Sequence, residues 1–170
     1  CNNNGQFCPL FTFVFYLGCT YKSIRMFSKA CEYGIKATLF IATESETKVK
    51  VSLSDISSKI DSPISFTAKI LQKLVKSKII DSSKGPTGGF AIERSKASKI
   101  KLSQIVTAID GDSIYKSCGL GFRDCNESKP CALHYKFKAI REELREMLES
   151  TSLLDLSEDI SNGITFLKQK

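Results

Sequence analysis

The 170-residue sequence has little of what an enzyme needs. It contains one histidine, and no residues are spaced as a nucleophile with its general base or as a substrate-binding motif. The Gly-rich stretch GPTGG lacks the spacing and the Lys-Ser/Thr ending of a phosphate-binding loop. The length excludes a large multidomain enzyme and leaves room for one ordinary domain, or for a small domain with a helical appendage. We therefore predict a small protein that is not an enzyme.

Long apolar runs are also absent. The run FCPLFTFVFYLG near the start is too short to span a bilayer, and no basic segment precedes it as a secretory signal requires. The chain begins with Cys, and its first methionine is Met26. We interpret residues 1–25 as a non-native or disordered tail and predict no membrane partner. The compartment expected is a reducing cytoplasm, where clustered cysteines bind metals more often than they form disulfides.

Positive charge is present in excess and is concentrated in one region. Basic residues outnumber acidic ones by seven over the whole chain, and residues 59–101 alone hold ten basic and three acidic side chains. Such a concentration is typical of proteins that bind a polyanion such as nucleic acid. A basic face that is simply solvated would give the same composition, so charge alone leaves both interpretations open.

Apolar periodicity after the tail predicts three helices. Steps of three and four residues from Met26 to about Thr43 predict a first helix. Ser52 has the position of an N-cap, with Asp55 three residues later, for a short second helix. After a break at Pro63, FTAKILQKLVKSKII predicts a third helix with one apolar and one cationic face. Two helices joined by a tight turn, the second one basic, are typical of a helix-turn-helix that places its second helix in the major groove of DNA.

A β-hairpin follows the basic helix. The segment IIDSSKGPTGGFAIER has the pattern of strand, turn and strand, and KLSQIVTAIDG then predicts a helix that ends near Gly111. A hairpin at this place makes the domain a winged helix, which we assign to residues 26–112. The residues that we expect to face DNA lie on the third helix and at the tip of the wing: Ser65, Thr67, Lys69, Gln72, Lys73, Lys84 and Thr87.

The C-terminal part predicts a helix for dimerisation. Apolar residues alternate at four- and three-residue steps, which is the spacing of a coiled-coil seam about two heptads long: Leu133, Phe137, Ile140, Leu144 and Met147. A helix that packs on its own domain also fits two heptads. Because winged-helix proteins commonly read paired half-sites as symmetric dimers, we predict a homodimerisation helix over 132–157 and a tail over 158–170. The predicted fold class is mostly α with a small β-hairpin, a winged helix-turn-helix plus a long C-terminal dimerisation helix.

Between these units, residues 113–131 form a predicted cysteine loop. The stretch CGLGFRDCNESKPCALH holds three of the seven cysteines and the only histidine. Thiolates are the usual ligands of iron-sulfur clusters, and histidine replaces cysteine on one iron in some of them. His134 follows Cys131 by one helical step, and the turn residues allow Cys118 and Cys125 to fold toward them. A Cys3His zinc site, a redox thiol set without metal, and idle cysteines fit the same residues, and composition does not separate cluster from zinc.

Several motifs in order resemble the bacterial winged-helix regulators of the Rrf2 family, typified by IscR and NsrR. The resemblance covers about Met26 to Ser157 and rests on SKACEYGIKATLFIA, FTAKILQKLVKSKII, GPTGGFAI, LSQIVTAIDG and the Cys/His set. It implies a homodimeric transcription factor that binds double-stranded operator DNA and whose affinity for DNA responds to an iron-sulfur cluster. One departure is visible, since six residues separate Cys118 from Cys125 where the family usually has five.

The resemblance also implies a ligand set. It assigns one cluster, 2Fe-2S in the IscR-like arrangement, to Cys118, Cys125, Cys131 and His134, with 4Fe-4S or zinc as alternatives. In nitric-oxide-sensing relatives that lack the loop histidine, a carboxylate of the first helix completes the cluster, and Glu32 in ACEYG occupies that place. Because His134 is present, the IscR-like arrangement is favoured, and Glu32 is expected to be a solvated helix residue.

Overall fold

The computed structural model describes residues 26–45, 50–85, 87–118, 120 and 125–167. The predicted tail over 1–25 lies outside the described residues. The elements follow in chain order as α1 (Lys29–Glu44), α2 (Leu53–Ile60), α3 (Ile64–Lys76), β1 (Asp81–Ser83), β2 (Gly89–Ala91), α4 (Arg94–Ala97), α5 (Leu102–Asp110), α6 (Ser113–Lys116), α7 (His134–Ser150) and α8 (Leu153–Ser161). In this part of the chain, no helix combines the length and the apolar character that crossing a membrane demands.

Helix α1 is the centre of the core, because α2, α3, α5 and α8 all pack against it. Its N-cap is Ser28, whose hydroxyl accepts a hydrogen bond from the Cys31 backbone N–H at 3.1 Å. The Ser28 N–H and hydroxyl both donate to the Asp110 carboxylate at the end of α5, at 3.0 and 2.5 Å. A Cβ at Gly34 would collide with Ile109 Cδ1, so glycine allows α1 and α5 to approach this closely. The contact between α1 and α5 therefore depends on Ser28, the N-cap of α1, and on Gly34 within the helix.

Cys31 is a core residue of α1 and is completely buried. Burial, with the neighbouring Asp110 carboxylate as the second cause, raises the pKa of its thiol from 9.0 to about 12. The thiol therefore keeps its proton at physiological pH and well above it.

The raised pKa of Cys31 predicts a loss of stability at alkaline pH. The folded state keeps the thiol proton where the unfolded chain has lost it, so this contribution is complete below pH 9 and disappears as the pH rises toward 12. The loss is at most about 1.4 kcal/mol per pH unit. We expect the free energy of unfolding, measured by urea denaturation, to fall less steeply over this range in Cys31→Ala than in the unmodified protein. Equal slopes would contradict the assignment.

The helix-turn-helix forms as predicted from local signals. Ser52 caps α2 by accepting from the Asp55 N–H at 3.2 Å, and Pro63 stands at the N-cap position of α3. Between them Asp61 adopts a left-handed conformation with φ of 55°, which turns the chain sharply. The Tyr33 hydroxyl of α1 donates to the Asp61 carbonyl at 3.3 Å and fixes this turn against the core. The apolar faces of both helices are buried at Ile56, Ile60, Ile70, Leu71 and Leu74.

The wing is a short antiparallel hairpin of β1 and β2, with Asp81 opposite Ala91. Val51, just before α2, exchanges two backbone hydrogen bonds with Phe90 at 2.8 and 2.9 Å and so joins the wing to the helices. A Cβ at Gly88 would lie 2.5 Å from the Ser83 carbonyl oxygen, which explains the need for glycine in this turn. The predicted fold class, mostly helical with a β-hairpin as the wing, is confirmed.

The C-terminal helix predicted over 132–157 is divided in the structure. α7 ends at Ser150, and Ser152 caps α8 by accepting from the Asp155 N–H at 3.2 Å while the Asp155 carboxylate accepts from the Ser152 N–H at 3.3 Å. The break is held against the start of α5, because the Leu153 N–H donates to the Ile100 carbonyl at 2.9 Å. α8 then packs on α1, so helical structure continues into the predicted tail over 158–170.

Two short helices were not predicted from the sequence. α4 follows the wing, and the Lys96 ammonium on it contacts the Asp81 carboxylate at 2.8 Å, which ties α4 to the base of the hairpin. α6 occupies the first residues of the predicted cysteine loop and packs against α7. Each has four residues, too few for apolar periodicity to appear.

Candidate functional site

Helix α3 presents one polar row to the outside of the molecule. Its buried side carries Thr67, Ile70, Leu71 and Leu74. On the opposite side, at steps of four, three and four residues, lie the exposed side chains of Ser65, Lys69, Gln72 and Lys76. Two ammonium groups alternate here with a hydroxyl and an amide, so the row combines charge for phosphates with hydrogen-bonding groups for base edges. We call these four residues the outer row of α3.

The structure corrects the prediction for Thr67. This residue is 0% exposed, and its hydroxyl donates to the Pro63 carbonyl at 3.1 Å. Its side chain therefore stabilises the first turn of α3 from inside the domain and does not face solvent. The sequence prediction failed because a threonine at the edge of an apolar stripe satisfies its hydroxyl within its own helix.

Lys73 is exposed but lies beside the outer row. Its ammonium is 3.4 Å from the carbonyl oxygen of Ile109, in the last turn of α5. A cation at the C-terminal end of a helix is favourable because the unpaired carbonyl groups carry partial negative charge. Lys73 thus has a contact within the domain in addition to the contact with DNA that the sequence predicts.

Sequence reasoning left three exposed residues of α3 out of the predicted set: Ile64, Phe66 and Lys76. Lys76 belongs to the outer row, and its spacing of seven residues from Lys69 was the signal that could have found it. Ile64 begins the helix and is 56% exposed. An apolar side chain at the start of a groove-bound helix is suited to contact a thymine methyl group. At the wing tip, Lys84 and Thr87 are both exposed.

In the cysteine loop the structure brings Cys125 and His134 together. The Cys125 Sγ lies 3.4 Å from His134 Nδ1, and the tautomer of the ring decides which atom donates. His134 begins α7 and is 3% exposed, and its N–H donates to the Cys131 carbonyl at 3.0 Å. The Arg141 guanidinium, two turns along α7, places Nη2 3.5 Å from the same sulfur. This arrangement puts a soft ligand, an imidazole and a cation on one face of α7.

The other candidate ligands are not gathered around this pair. Cys118 and Cys131 are half-buried, and within the described ranges no three His, Cys, Asp or Glu side chains are grouped closely enough to hold a metal ion. Glu32 lies in the first turn of α1, where its carboxylate accepts from the Lys29 ammonium at 3.0 Å. None of the described cysteines forms a disulfide.

One feature of the pair fits a soft metal. The Nε2 atom of His134 is buried and has no hydrogen-bond partner within the part of the chain that the structure describes. Buried polar nitrogens are nearly always satisfied, and each exception calls for an explanation. Imidazole and thiolate are both good ligands for iron and zinc, so the donor chemistry of Cys125 and His134 suits either metal.

Helix α7 is covered on one side only. Leu148 is 1% exposed against the domain, and Phe137 and Leu144 are half-buried. In contrast, Ile140 is 57% exposed, and Met147, seven residues further along the predicted seam, is 46% exposed. The seam therefore contributes part of its apolar surface to its own domain and leaves part of it in solvent.

Comparison with known proteins matches this architecture. The family model described as "Rrf2: Iron-dependent Transcriptional regulator" matches residues 27–159. A putative HTH-type transcriptional regulator of Aquifex aeolicus is 29% identical over 133 residues, which cover 77% of this chain and 90% of the relative. The HTH-type transcriptional regulator IscR of Klebsiella pneumoniae is 29% identical over 133 residues, which cover 78% of this chain and 79% of the relative.

Among solved structures, CymR of B. subtilis, described as the global cysteine regulator, has the same fold. Its TM-score is 0.61 at 20% sequence identity, and the match covers 80% of this chain and 95% of the CymR chain. At this identity the likeness establishes the architecture of the winged helix with its C-terminal helices.

Proposed function

Because this chain belongs to the Rrf2 family of transcriptional regulators, we propose that it binds operator DNA as a homodimer and senses its signal through an iron-sulfur cluster. The family assignment makes it a regulator of transcription rather than an enzyme. The partner is double-stranded DNA, and the compartment that follows from this partner is the cytoplasm, where bacterial operators lie. Residues 26–112 would form the DNA-binding unit, and α7 the dimer contact.

The outer row of α3 is the observation that carries DNA binding. Lys69 and Lys76 project from the same side of the helix as Gln72, and the wing tip with Lys84 adds a further cation. A helix placed in the major groove with its N-terminal residues toward the bases would bring Gln72 within reach of a base edge and the lysines within reach of phosphates. The wing would contact the backbone or the minor groove beside it.

Substitutions of the lysines and of Gln72 are expected to change DNA binding in different ways, because the lysines would contact phosphates and Gln72 would contact a base. In Lys69→Ala and Lys76→Ala, affinity should fall for all sequences, and the slope of log K against log salt should lose about one unit. In Gln72→Ala, about 1–3 kcal/mol of discrimination should be lost at one base pair. Titration of DNA selected from a random pool, at several salt concentrations, measures both quantities.

Lys136→Ala is the matched control, because it removes the same charge from an exposed position on α7. Thr67→Ser should keep the base preference, since the Thr67 hydroxyl is bonded inside the domain. If neither Lys69→Ala nor Lys76→Ala weakens binding to any DNA, or if Lys136→Ala weakens it equally, α3 is not the recognition helix.

For the sensing group we propose Cys118, Cys125, Cys131 and His134 as ligands of one cluster, 2Fe-2S in preference to 4Fe-4S. The support is the contact of Cys125 with His134, the His134 Nε2 atom that has no partner among the described residues, and the family description as iron-dependent. A bound cluster supplies a reversible redox centre that oxidation, nitric oxide or iron shortage would remove. The protein's part is to hold the loop beside α7, so that gain or loss of the cluster changes how the two DNA-binding units are set.

A thiol sensor of the same fold, with or without zinc, is the second candidate. It is favoured by the position of Cys125 between His134 and Arg141, and by the description of the B. subtilis neighbour as a cysteine regulator. The absorption spectrum of anaerobically purified protein separates the two functions. Visible bands with bound iron support the cluster, whereas a colourless protein, with or without zinc, supports the thiol sensor.

A further inference from the structure

Arg141 contacts the cysteine loop on both sides of residues 119–124. Its Nη1 atom donates to the Ser117 carbonyl, directly before Cys118, at 3.3 Å. Its Nη2 atom lies 3.5 Å from the Cys125 sulfur. One guanidinium thus touches the chain at two places that are far apart in sequence along the loop, each beside or at a candidate ligand.

The position of Arg141 on α7 fixes its guanidinium relative to the loop. Arg141 is half-buried and lies seven residues after His134, on the same face of the helix. The planar guanidinium holds its N–H donors at fixed angles, so it can serve a carbonyl and a sulfur at once, whereas a lysine ammonium is a single point on a flexible stem.

A second tie between loop and helix is weaker. The Lys138 ammonium contacts the Glu127 carboxylate at 2.6 Å and holds the pKa of that carboxyl below its usual range. Both side chains are more than half exposed, and ion pairs in solvent contribute little to stability. The half-buried Arg141 is therefore the principal anchor among these contacts.

We propose that Arg141 is a positioning residue of the sensing site: it holds the Ser117 and Cys125 sides of the loop against α7 before a metal is bound, and it donates a hydrogen bond to the Cys125 sulfur in the loaded protein. The second part rests on the proposed function, and the first does not. Hydrogen bonds to ligand sulfur stabilise the more negatively charged, reduced state of a cluster and raise its reduction potential. Because the anchor is on α7, order in the loop and the position of the dimer helix would be coupled.

Hydrogen exchange of the metal-free protein tests the first part. In Arg141→Gln, the amides of Ser128 and Lys129, which donate to the Asn126 side-chain oxygen at 2.8 and 3.3 Å, should exchange about tenfold faster than in the unmodified protein. Arg141→Lys should restore only part of this protection. Arg145→Gln is the matched control, since it removes the same charge one turn away, where the guanidinium lies over the Tyr115 ring. Exchange that is unchanged in Arg141→Gln, or raised equally in Arg145→Gln, would overturn the proposal.

Metal binding gives a second readout that does not need a cluster. Cobalt(II) added to the reduced, metal-free protein should bind about 10–100-fold more weakly in Arg141→Gln than in Arg145→Gln, with the thermal unfolding of both variants checked beforehand. If a cluster is reconstituted, its reduction potential should be more negative in Arg141→Gln, and an equal or higher potential would refute the hydrogen bond to sulfur. A protein that binds no cluster but shows the exchange difference would refute the proposed cluster and leave the anchoring role of Arg141 intact.

Discussion

Replacing Cys125 by alanine is expected to abolish the visible absorption of the anaerobically reconstituted protein. The Cys125 sulfur is the candidate ligand that the structure places against His134, at 3.4 Å, and a cluster with three thiolate ligands cannot be kept by the remaining two. The measurement is the visible spectrum together with the iron and sulfide content per chain. The same loss is expected for Cys118→Ala and Cys131→Ala.

Cys31→Ala is the matched control for these variants. It also removes one thiol, but that thiol is buried in α1 next to Asp110, and its raised pKa of about 12 keeps it protonated. The spectrum of Cys31→Ala should therefore equal that of the unmodified protein. If Cys31→Ala loses the bands while Cys125→Ala keeps them, the ligand set is wrong; if the unmodified protein yields no bands, the cluster proposal fails altogether.

The fourth ligand is decided by comparing His134→Ala with Glu32→Ala. We expect His134→Ala to shift the bands or to make the cluster labile, since its buried imidazole has a nitrogen with no partner among the described residues. Glu32→Ala should leave the spectrum unchanged, because the Glu32 carboxylate is paired with Lys29. A spectrum disturbed only by Glu32→Ala would establish the arrangement with a carboxylate ligand instead.

Much of the fold could be predicted because its signals are local. The cap at Ser52, the break at Pro63 and the glycines of the wing each act on the residues next to them, and the structure places all three as the sequence indicated. The same kind of signal was present at Ser152, whose spacing from Asp155 is that of a capping box. The apolar spacing ends at Met147, but the predicted helix was continued to residue 157, so the break between α7 and α8 was missed.

The candidate site was predicted less completely because its geometry is set by packing between distant segments. Which residues of α3 are exposed depends on the side of the helix that packs against α1. Thr67 lies on the buried side and Lys76 on the exposed side, and the polar character of threonine gave no sign that Thr67 is buried. In the loop, composition identified the types of metal ligand but not which side chains contact one another. The contact of Arg141 with Cys125 depends on how the loop folds back on α7, and no sequence period encodes it.

Replacing Ile140 by glutamate is expected to convert the proposed dimer into a monomer. Ile140 is the most exposed apolar residue of the predicted seam, at 57%, so the substitution leaves the core of the chain intact. At a two-fold interface it would place two unpaired charges against apolar surface, which costs about 3 kcal/mol or more and weakens association on the order of 100-fold. Sedimentation equilibrium over a range of protein concentrations measures the change.

The choice of Ile140 follows from the way α7 is covered. Leu144 is half-buried within its own chain and is among the residues packed against the core, so Leu144→Glu would also destabilise the monomer and would not isolate the interface. Ala139→Glu introduces the same charge at the neighbouring exposed position, outside the apolar seam, and should leave the association constant nearly unchanged. Since half-sites one helical turn apart require two linked DNA-binding units, Ile140→Glu should lose affinity for a paired site while keeping affinity for a single half-site. A variant that remains a dimer of unchanged association constant would show that the partner is not met through Ile140. An unmodified protein that sediments as a monomer would refute the dimer itself.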